Sequence, residues 1–164
     1  MLPIRALLNT ANDGLRLGRC LETLHPCDEI VIVDHGSTDD TLRVAQRYGA
    51  RILTAGPGHE ADAHRQMIRP WLCDGWILCV EPRESLTEAL AASLFEWKAG
   101  HRAGSSRPAP RSVFVREETR DGWSDHPVAQ TRLVPGDWRF WEGLLPRSDD
   151  SVPLEGPLLR FTFP

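Results

Sequence analysis

The sequence has no apolar run near the roughly 18 residues that a membrane-spanning helix requires, and charged residues make up 26% of it. The N-terminal stretch, residues 2–8, includes Pro3 and Arg5 and is too short for the apolar core of a signal peptide. No basic amphipathic helix for docking on a membrane surface is evident. These absences predict a soluble, cytoplasmic protein with at most peripheral membrane contact.

Lysine is nearly missing, since Lys98 is the only one among 19 cationic residues, and the net charge is -4. Nucleic-acid binders usually carry a basic domain, so no nucleic-acid partner is expected. The four cysteines form no C-x-x-C pair, which argues against zinc and favours reduced, buried thiols. His59 and His64 lie too far apart around a helix to clamp one ion, which excludes a zinc-protease motif.

Two nucleotide-binding fingerprints are also absent. The dinucleotide-binding pattern G-x-G-x-x-G does not follow the first candidate strand, and the chain contains no P-loop motif. No internal repeat is present either. The length of 164 residues favours one domain of ordinary size.

The segment that organises the chain runs over residues 28–41. Residues 30–33 are four consecutive β-branched residues, as in a parallel strand that is covered on both faces. Asp34 stands where this strand ends, and Gly36 permits a sharp turn. Because ligands of open α/β sheets bind beyond the carboxyl ends of the strands, Asp34 is a candidate ligand contact. An ordinary turn that leads into a helix explains the same residues.

The helices that follow have sequence signals at their starts. Ser37 or Thr38 is predicted to cap the helix after the turn, with Asp39 and Asp40 in its first turn, where the helix dipole favours negative charge. Residues 85–88 read Ser-Leu-Thr-Glu, which resembles a capping box at the start of a later helix.

Strands and helices alternate along the first hundred residues. Apolar strands are predicted at residues 4–8, 30–33, 51–53 and 76–80. Helices are predicted at residues 14–24, 39–48, 61–71 and 85–97. This order predicts an α/β fold with a Rossmann-type, mostly parallel sheet that is flanked by helices.

Composition changes at residues 100–111, which are predicted to form a linker or mobile loop. Further strands are predicted at residues 113–115, 129–134, 138–141 and 158–163, with the middle two as a hairpin. We therefore interpret the chain as a single domain. Residues 1–99 would form its α/β half, and residues 112–164 a short β-rich part.

Several short motifs coincide with one known family. They are T-A-N-D at residues 10–13, R-C-L-E-T-L at 19–24, the organising segment 28–41, Y-G-A-R at 48–51, R-Q at 65–66, D-G-W-I-L at 74–78, Q-T-R-L at 130–133 and E-G-P-L-L at 155–159. In these motifs the chain resembles the family 2 glycosyltransferases, which have the GT-A type of fold. It is most similar to the bacterial branch that acts on lipopolysaccharide core or other envelope glycans.

The resemblance implies a nucleotide-sugar site at the loops that follow the first two strands. Carboxylates there would accept hydrogen bonds from ribose and base, and arginine would meet base or phosphate. The implied nucleotide-binding residues are Thr10, Asn12, Asp13, Asp34, Gly36, Ser37 and Arg65. A solvated helix face is the alternative interpretation of Arg65.

The metal motif of the family, two carboxylates one residue apart after the fourth strand, is only half kept. Glu81 retains one carboxylate, and Arg83 stands where the second belongs. Mg²⁺ and Mn²⁺ prefer carboxylate oxygens, whereas arginine has no acceptor. Either Arg83 replaces the metal and stabilises the leaving diphosphate, or the site has decayed and Arg83 pairs with Glu81 or Glu84.

An inverting transfer also needs a base that takes the proton of the acceptor hydroxyl. The resemblance implies Asp125 for this role, with His126 beside it and Glu142 in reserve. A turn residue that precedes Pro127 is the alternative interpretation of Asp125. The family's acid/base segment falls near residues 144–146, Leu-Leu-Pro, where no acid stands.

Two hypotheses for function follow. In the first, the protein transfers a sugar from a nucleotide-diphospho-sugar, UDP-linked, to an envelope glycan or lipid-linked acceptor with inversion. In the second, it is a catalytically impaired protein that has lost the metal site and serves as a nucleotide-sugar-binding or regulatory protein. Residues 81–84 discriminate between the two.

Overall fold

The computed structural model describes residues 2–56, 66, 68–71, 74–101 and 107–163. The helices with defined bounds are α1 (Gly14–Glu22), α2 (Thr41–Arg47) and α3 (Glu88–Gly100). The strands are β1 (Ile4–Thr10), β2 (Glu29–Asp34), β3 (Arg51–Thr54), β4 (Trp76–Cys79), β5 (Glu84–Leu86), β6 (Arg111–Thr119), β7 (Gly122–Trp123), β8 (Val128–Pro135), β9 (Trp141–Glu142), β10 (Leu145–Pro146) and β11 (Val152–Arg160). Residues 68–71 are also helical, whereas most of the helix predicted at 61–71 lies outside the described residues.

The strands of both halves of the chain form one large sheet in the order β3-β2-β1-β4-β8-β6-β11-β5, with β7 paired to β6. The first four strands are parallel, as predicted. β8 then runs antiparallel to β4 and β6, so the C-terminal strands continue the sheet. The predicted α/β fold with a helix-flanked sheet is confirmed.

Apolar residues cover both faces of the sheet. One core cluster packs α1 and α3 against residues such as Leu8 and Ile32, and a second cluster on the other face contains Leu7, Val31 and Val33. Consecutive strand residues point to opposite faces, so an unbroken apolar run fills both clusters. The prediction for residues 30–33 is therefore confirmed, with Ile30 only partly buried.

The predicted start of α2 is wrong. The helix begins at Thr41, and neither Ser37 nor Thr38 caps it. The Ser37 hydroxyl donates to the Asp34 carboxylate instead. Asp39 precedes the helix, and its carboxylate accepts from the backbone N–H of Thr41 at 2.9 Å. The Ser37 and Asp39 side chains thus bond within residues 34–41, in a different arrangement from the predicted cap.

The capping box and the C-terminal hairpin also differ from the predictions. Ser85 lies in β5, and the Thr87 side chain caps α3 by accepting from the backbone N–H of Leu90 at 3.2 Å. β8 pairs with β4 and β6 rather than with residues 138–141. The short β9 pairs with β10. Propensity identified these segments as structured without identifying their partners.

Within the described part of the chain, no helix combines the length and the apolar character that crossing a membrane requires.

Candidate functional site

The loops after β1 and β2 meet at one edge of the sheet. Thr10 and Asp34 end these neighbouring parallel strands and are register partners. The Thr10 hydroxyl donates to an Asp34 carboxylate oxygen at 2.8 Å, and Asp34 is only 2% exposed. The structure therefore brings together the first and second loops, as the resemblance implied.

The Asp34 carboxylate is saturated by its own surroundings. One oxygen accepts from the hydroxyls of Thr10 and Ser37, and the other accepts from the backbone N–H groups of Gly36 at 3.2 Å and Ser37 at 2.9 Å. Gly36 has φ +85°, which only glycine adopts without strain. In this structure Asp34 organises the loop that residues 36–37 form.

Asn12 and Asp13 tie the two loops to each other. Asn12 has φ +55°, and its side-chain oxygen accepts from the backbone N–H of Thr38 at 2.8 Å. The Asn12 backbone N–H donates to the Ser37 hydroxyl at 2.9 Å. The Asp13 backbone N–H donates to the Thr41 hydroxyl at 2.8 Å. The two loops consequently form one hydrogen-bonded unit.

Replacing Asp34 with asparagine tests this unit through pH. Burial alone raises the pKa of Asp34, but hydrogen bonds led by those from Ser37 and Thr10 outweigh it and hold the pKa below its ordinary value of 3.8. The stabilisation is thus fully present above 3.8 and is lost as the pH falls through the lower pKa of the folded state. We expect Asp34→Asn to cost about 1–3 kcal/mol of unfolding free energy at neutral pH, and less in acid.

Urea unfolding at neutral pH and below pH 3.8 measures this difference. Asp40→Asn changes an exposed carboxylate of the same loop and is the control. A penalty for Asp34→Asn that stays the same across this range would contradict the role assigned to the charged carboxylate.

Beside this unit, a cleft of about 360 Å³ opens where β1 and β4 end. Its lining residues are Leu7, Asn9, Asp13, Arg16, Cys79, Val80, Glu81, Pro82, Arg83, Leu144 and Leu145. The structure therefore joins Asp13 to Glu81 and Arg83 in one cleft. Thr10, Asn12, Asp34, Gly36 and Ser37 lie in the adjoining loop unit rather than among the lining residues, and Arg65 lies outside the described residues.

The one carboxylate that the metal motif keeps, Glu81, forms an ion pair. Arg83 Nε lies 2.9 Å from a Glu81 carboxylate oxygen, and Arg160 Nε lies 3.8 Å from the same oxygen. Among the residues that the structure describes, no group of three or more His, Cys, Asp or Glu side chains is arranged to hold a metal. A single carboxylate that faces two guanidinium groups does not fit Mg²⁺ or Mn²⁺.

Glu84, the last residue of this segment, is fully buried and was not predicted as a site residue. Arg132 is also 0% exposed and donates hydrogen bonds to both carboxylate oxygens of Glu84, each at 2.8 Å. Arg132 donates further to the carbonyl of Cys79 at 3.0 Å, and Glu84 accepts from the backbone N–H of Glu81 at 2.8 Å. Arg160 adds a second guanidinium at 3.0 Å. This buried network fixes the turn that carries the ion pair.

Asp125 is not among the residues that line the cleft. Asp125 lines another groove with Arg116, and the two depressions share no lining residue. Arg116, which lines the groove of Asp125, precedes Glu117 in β6, and the two side chains point to opposite faces of the sheet. Glu117 is the one that contacts Arg160, at 2.7 Å, and Arg160 is the neighbour of Glu81 in the cleft. A catalytic role for Asp125 stays a prediction that this placement does not support.

Glu142 lies nearer to the cleft. It lines a groove of about 450 Å³ with Gln130, Leu145 and Arg147. Leu145 lines this groove and the cleft alike, so the two depressions meet at the β9–β10 hairpin.

No family model matches the chain. The chain is 34% identical over 183 residues to the lipopolysaccharide core biosynthesis glycosyltransferase LpsC of Rhizobium meliloti (strain 1021). This alignment covers 98% of this chain and 63% of that protein. It is 29% identical over 91 residues to an uncharacterized glycosyltransferase of Rickettsia felis, and this alignment covers 55% of this chain and 32% of that protein. The chain thus spans less than two thirds of the length of these relatives.

Two solved structures share the fold. A mycobacterial protein superposes with a TM-score of 0.52 and 20% identity over 73% of this chain and 43% of its own. TarS of S. aureus superposes with a TM-score of 0.50 and 15% identity over 74% of this chain and 22% of its own. These relatives confirm the resemblance to the family 2 glycosyltransferases, and the solved structures share the GT-A type of fold that the resemblance predicted.

Proposed function

We propose that the protein transfers a sugar from a nucleotide-diphospho-sugar, UDP-linked, to a bacterial envelope glycan of the lipopolysaccharide-core kind. The observation that carries this proposal is the cleft at the ends of β1 and β4, which combines Asp13, Arg16 and Arg83 and adjoins the two interlocked loops. Ligands of open α/β sheets bind at this edge. The kinship with LpsC supports the choice of acceptor.

The nucleoside is proposed to lie against the loop unit. Asn12 and Asp13 would face base and ribose, and Gly36 and Ser37 would form the wall that Asp34 holds in shape. The diphosphate would then extend into the cleft, toward Arg16 and Arg83. Guanidinium groups bind phosphate oxygens through charge-assisted, bidentate hydrogen bonds.

Arg83 is proposed to stabilise the leaving diphosphate in place of a metal ion. Its side chain is 44% exposed, so it can turn from Glu81 to a phosphate group that enters the cleft. Glu81 would then keep Arg160 as a cationic neighbour. A fixed cation at the place where negative charge develops lowers the barrier of the transfer step.

The transfer itself exchanges two bonds at the anomeric carbon. The bond to the diphosphate oxygen breaks, the bond to the acceptor oxygen forms on the opposite face, and a base takes the proton of the acceptor hydroxyl. Of the two carboxylates considered from the sequence, Glu142 has the better support, because its groove meets the cleft at Leu145.

A thermal-shift titration with UDP and UDP-sugars, combined with a UDP-release assay on candidate acceptors, tests the proposal. We expect UDP and UDP-sugars each to raise the melting temperature. Mn²⁺ and chelator should leave the size of this rise unchanged. UDP release should require an acceptor. Stabilisation by nucleotide without any UDP release would favour the impaired binding protein, which the Glu81–Arg83 ion pair also suits. No stabilisation by any nucleotide would contradict both functions.

A further inference from the structure

A third depression follows the two that meet at Leu145. This groove of about 600 Å³ lies between residues 138–141 and 147–150, and we call it the aromatic groove. It shares Arg147 and Ser148 with the groove that contains Glu142. The Glu142 groove therefore borders both the cleft and the aromatic groove, and all three lie beside the β9–β10 hairpin.

Rigid aromatic rings form one side of the aromatic groove. The rings of Trp138 and Phe140 meet edge to face, with centroids 5.5 Å apart and planes at 72°. The Trp138 indole N–H donates to the carbonyls of Phe140 at 2.8 Å and Arg147 at 3.2 Å, which fixes the indole. Phe140 remains 68% exposed. The exposed Phe140 ring, which contacts the fixed Trp138 indole, offers an apolar surface that suits the C–H face of a sugar.

Charged groups of both signs complete the aromatic groove. Arg139, Arg147, Asp149 and Asp150 line it and are exposed. Within the described ranges, none of these four side chains forms an ion pair with another residue. Sugar hydroxyls both donate and accept hydrogen bonds, so arginine donors beside aspartate acceptors match them.

We propose that the aromatic groove binds a saccharide unit of the acceptor glycan, remote from the hydroxyl that reacts at the cleft. This inference rests on the proposed function, since the occupant is the acceptor of that transfer. The Glu142 groove shares lining residues with both the aromatic groove and the cleft, so an oligosaccharide that lies across it would have one end at each of these depressions. Stacking on Phe140 would then contribute to acceptor affinity without contacting the nucleotide.

The experiment measures the affinity of the full chain for core oligosaccharide released from bacterial lipopolysaccharide by mild acid. Indole signals in ¹⁵N NMR spectra report binding, and UDP affinity is measured in parallel. Phe140→Ala removes the exposed ring of the groove, and Phe95→Ala removes a partly exposed ring on α3 as the control. We expect Phe140→Ala to weaken oligosaccharide binding about two- to twelvefold, the range that one aromatic contact supplies. Phe95→Ala should leave it unchanged, and neither variant should alter UDP affinity.

Two results would overturn the inference. One is equal oligosaccharide affinity of the two variants, and the other is an oligosaccharide that shifts no indole signal of the native chain while UDP still binds. If UDP fails to bind the native chain as well, the proposed function itself fails. The two failures are therefore distinguishable in one set of samples.

Discussion

Arg132→Met is expected to lower the free energy of unfolding by about 3–5 kcal/mol, the usual cost of leaving one member of a buried ion pair alone. Glu84 is fully buried, and Arg132 makes both of the 2.8 Å hydrogen bonds that join the two side chains. Methionine fills much of the space but donates nothing. Arg160 still reaches Glu84 in the variant, which keeps the loss within this range. Urea unfolding monitored by tryptophan fluorescence gives the difference.

Arg43→Met is the matched control for this experiment. Arg43 pairs with Asp40 at 2.6 Å, but both side chains are well exposed to solvent. Exposed ion pairs contribute about 0–1 kcal/mol, so the control should unfold almost as the native chain does. A loss below about 1 kcal/mol for Arg132→Met would show that the buried pair does not stabilise the fold.

Arg83→Ala is expected to reduce the rate of UDP release in the presence of acceptor by about 10²–10³-fold, the usual effect of removing one group that stabilises developing charge. The KM for the donor should change less, because the cation acts most strongly on the leaving diphosphate. Arg83 lies at the rim of the cleft in a solvated pair with Glu81, so its removal should not unfold the chain. Steady-state kinetics with and without chelator give the comparison.

A second substitution at the same position distinguishes replacement of the metal from decay of the site. Arg83→Asp restores two carboxylates one residue apart, with Glu81 as the other. If Arg83 substitutes for a metal, the native enzyme should ignore Mn²⁺, and the Arg83→Asp variant should be inactive until Mn²⁺ is added. Equal, chelator-insensitive activity of the native chain and Arg83→Ala would contradict a catalytic role for this guanidinium.

The α/β order, the buried second strand and the place of the site at the strand ends could all be predicted from sequence. These features depend on burial, and buried residues give the sequence a pattern of apolar positions that indicates helices and strands. The helix starts were harder to predict. Ser37 and Asp39 carry the residue types of a cap, yet Ser37 bonds to Asp34, and Asp39 accepts from the backbone of Gly14, 25 residues away.

The buried network was missed for a related reason. Glu84 and Arg132 are charged, and a charged residue in a sequence is more often solvated than buried. Their contact spans 48 residues, and it becomes visible only when β8 pairs with β4. The predicted strand at residues 129–134 and the short Gln-Thr-Arg match at residues 130–132 both pointed to this strand, but neither indicated the partner of Arg132.

The sequence by itself determined the fold class, the family resemblance and the substitution of Arg83 for a metal-binding carboxylate. Only the tertiary structure decided that Arg83 pairs with Glu81, that Asp34 is saturated by its own loop, and that Asp125 does not line the cleft. Apolar periodicity records which residues are buried. It does not record which distant donor meets which acceptor, because that choice depends on how strands far apart in the chain are aligned in the sheet.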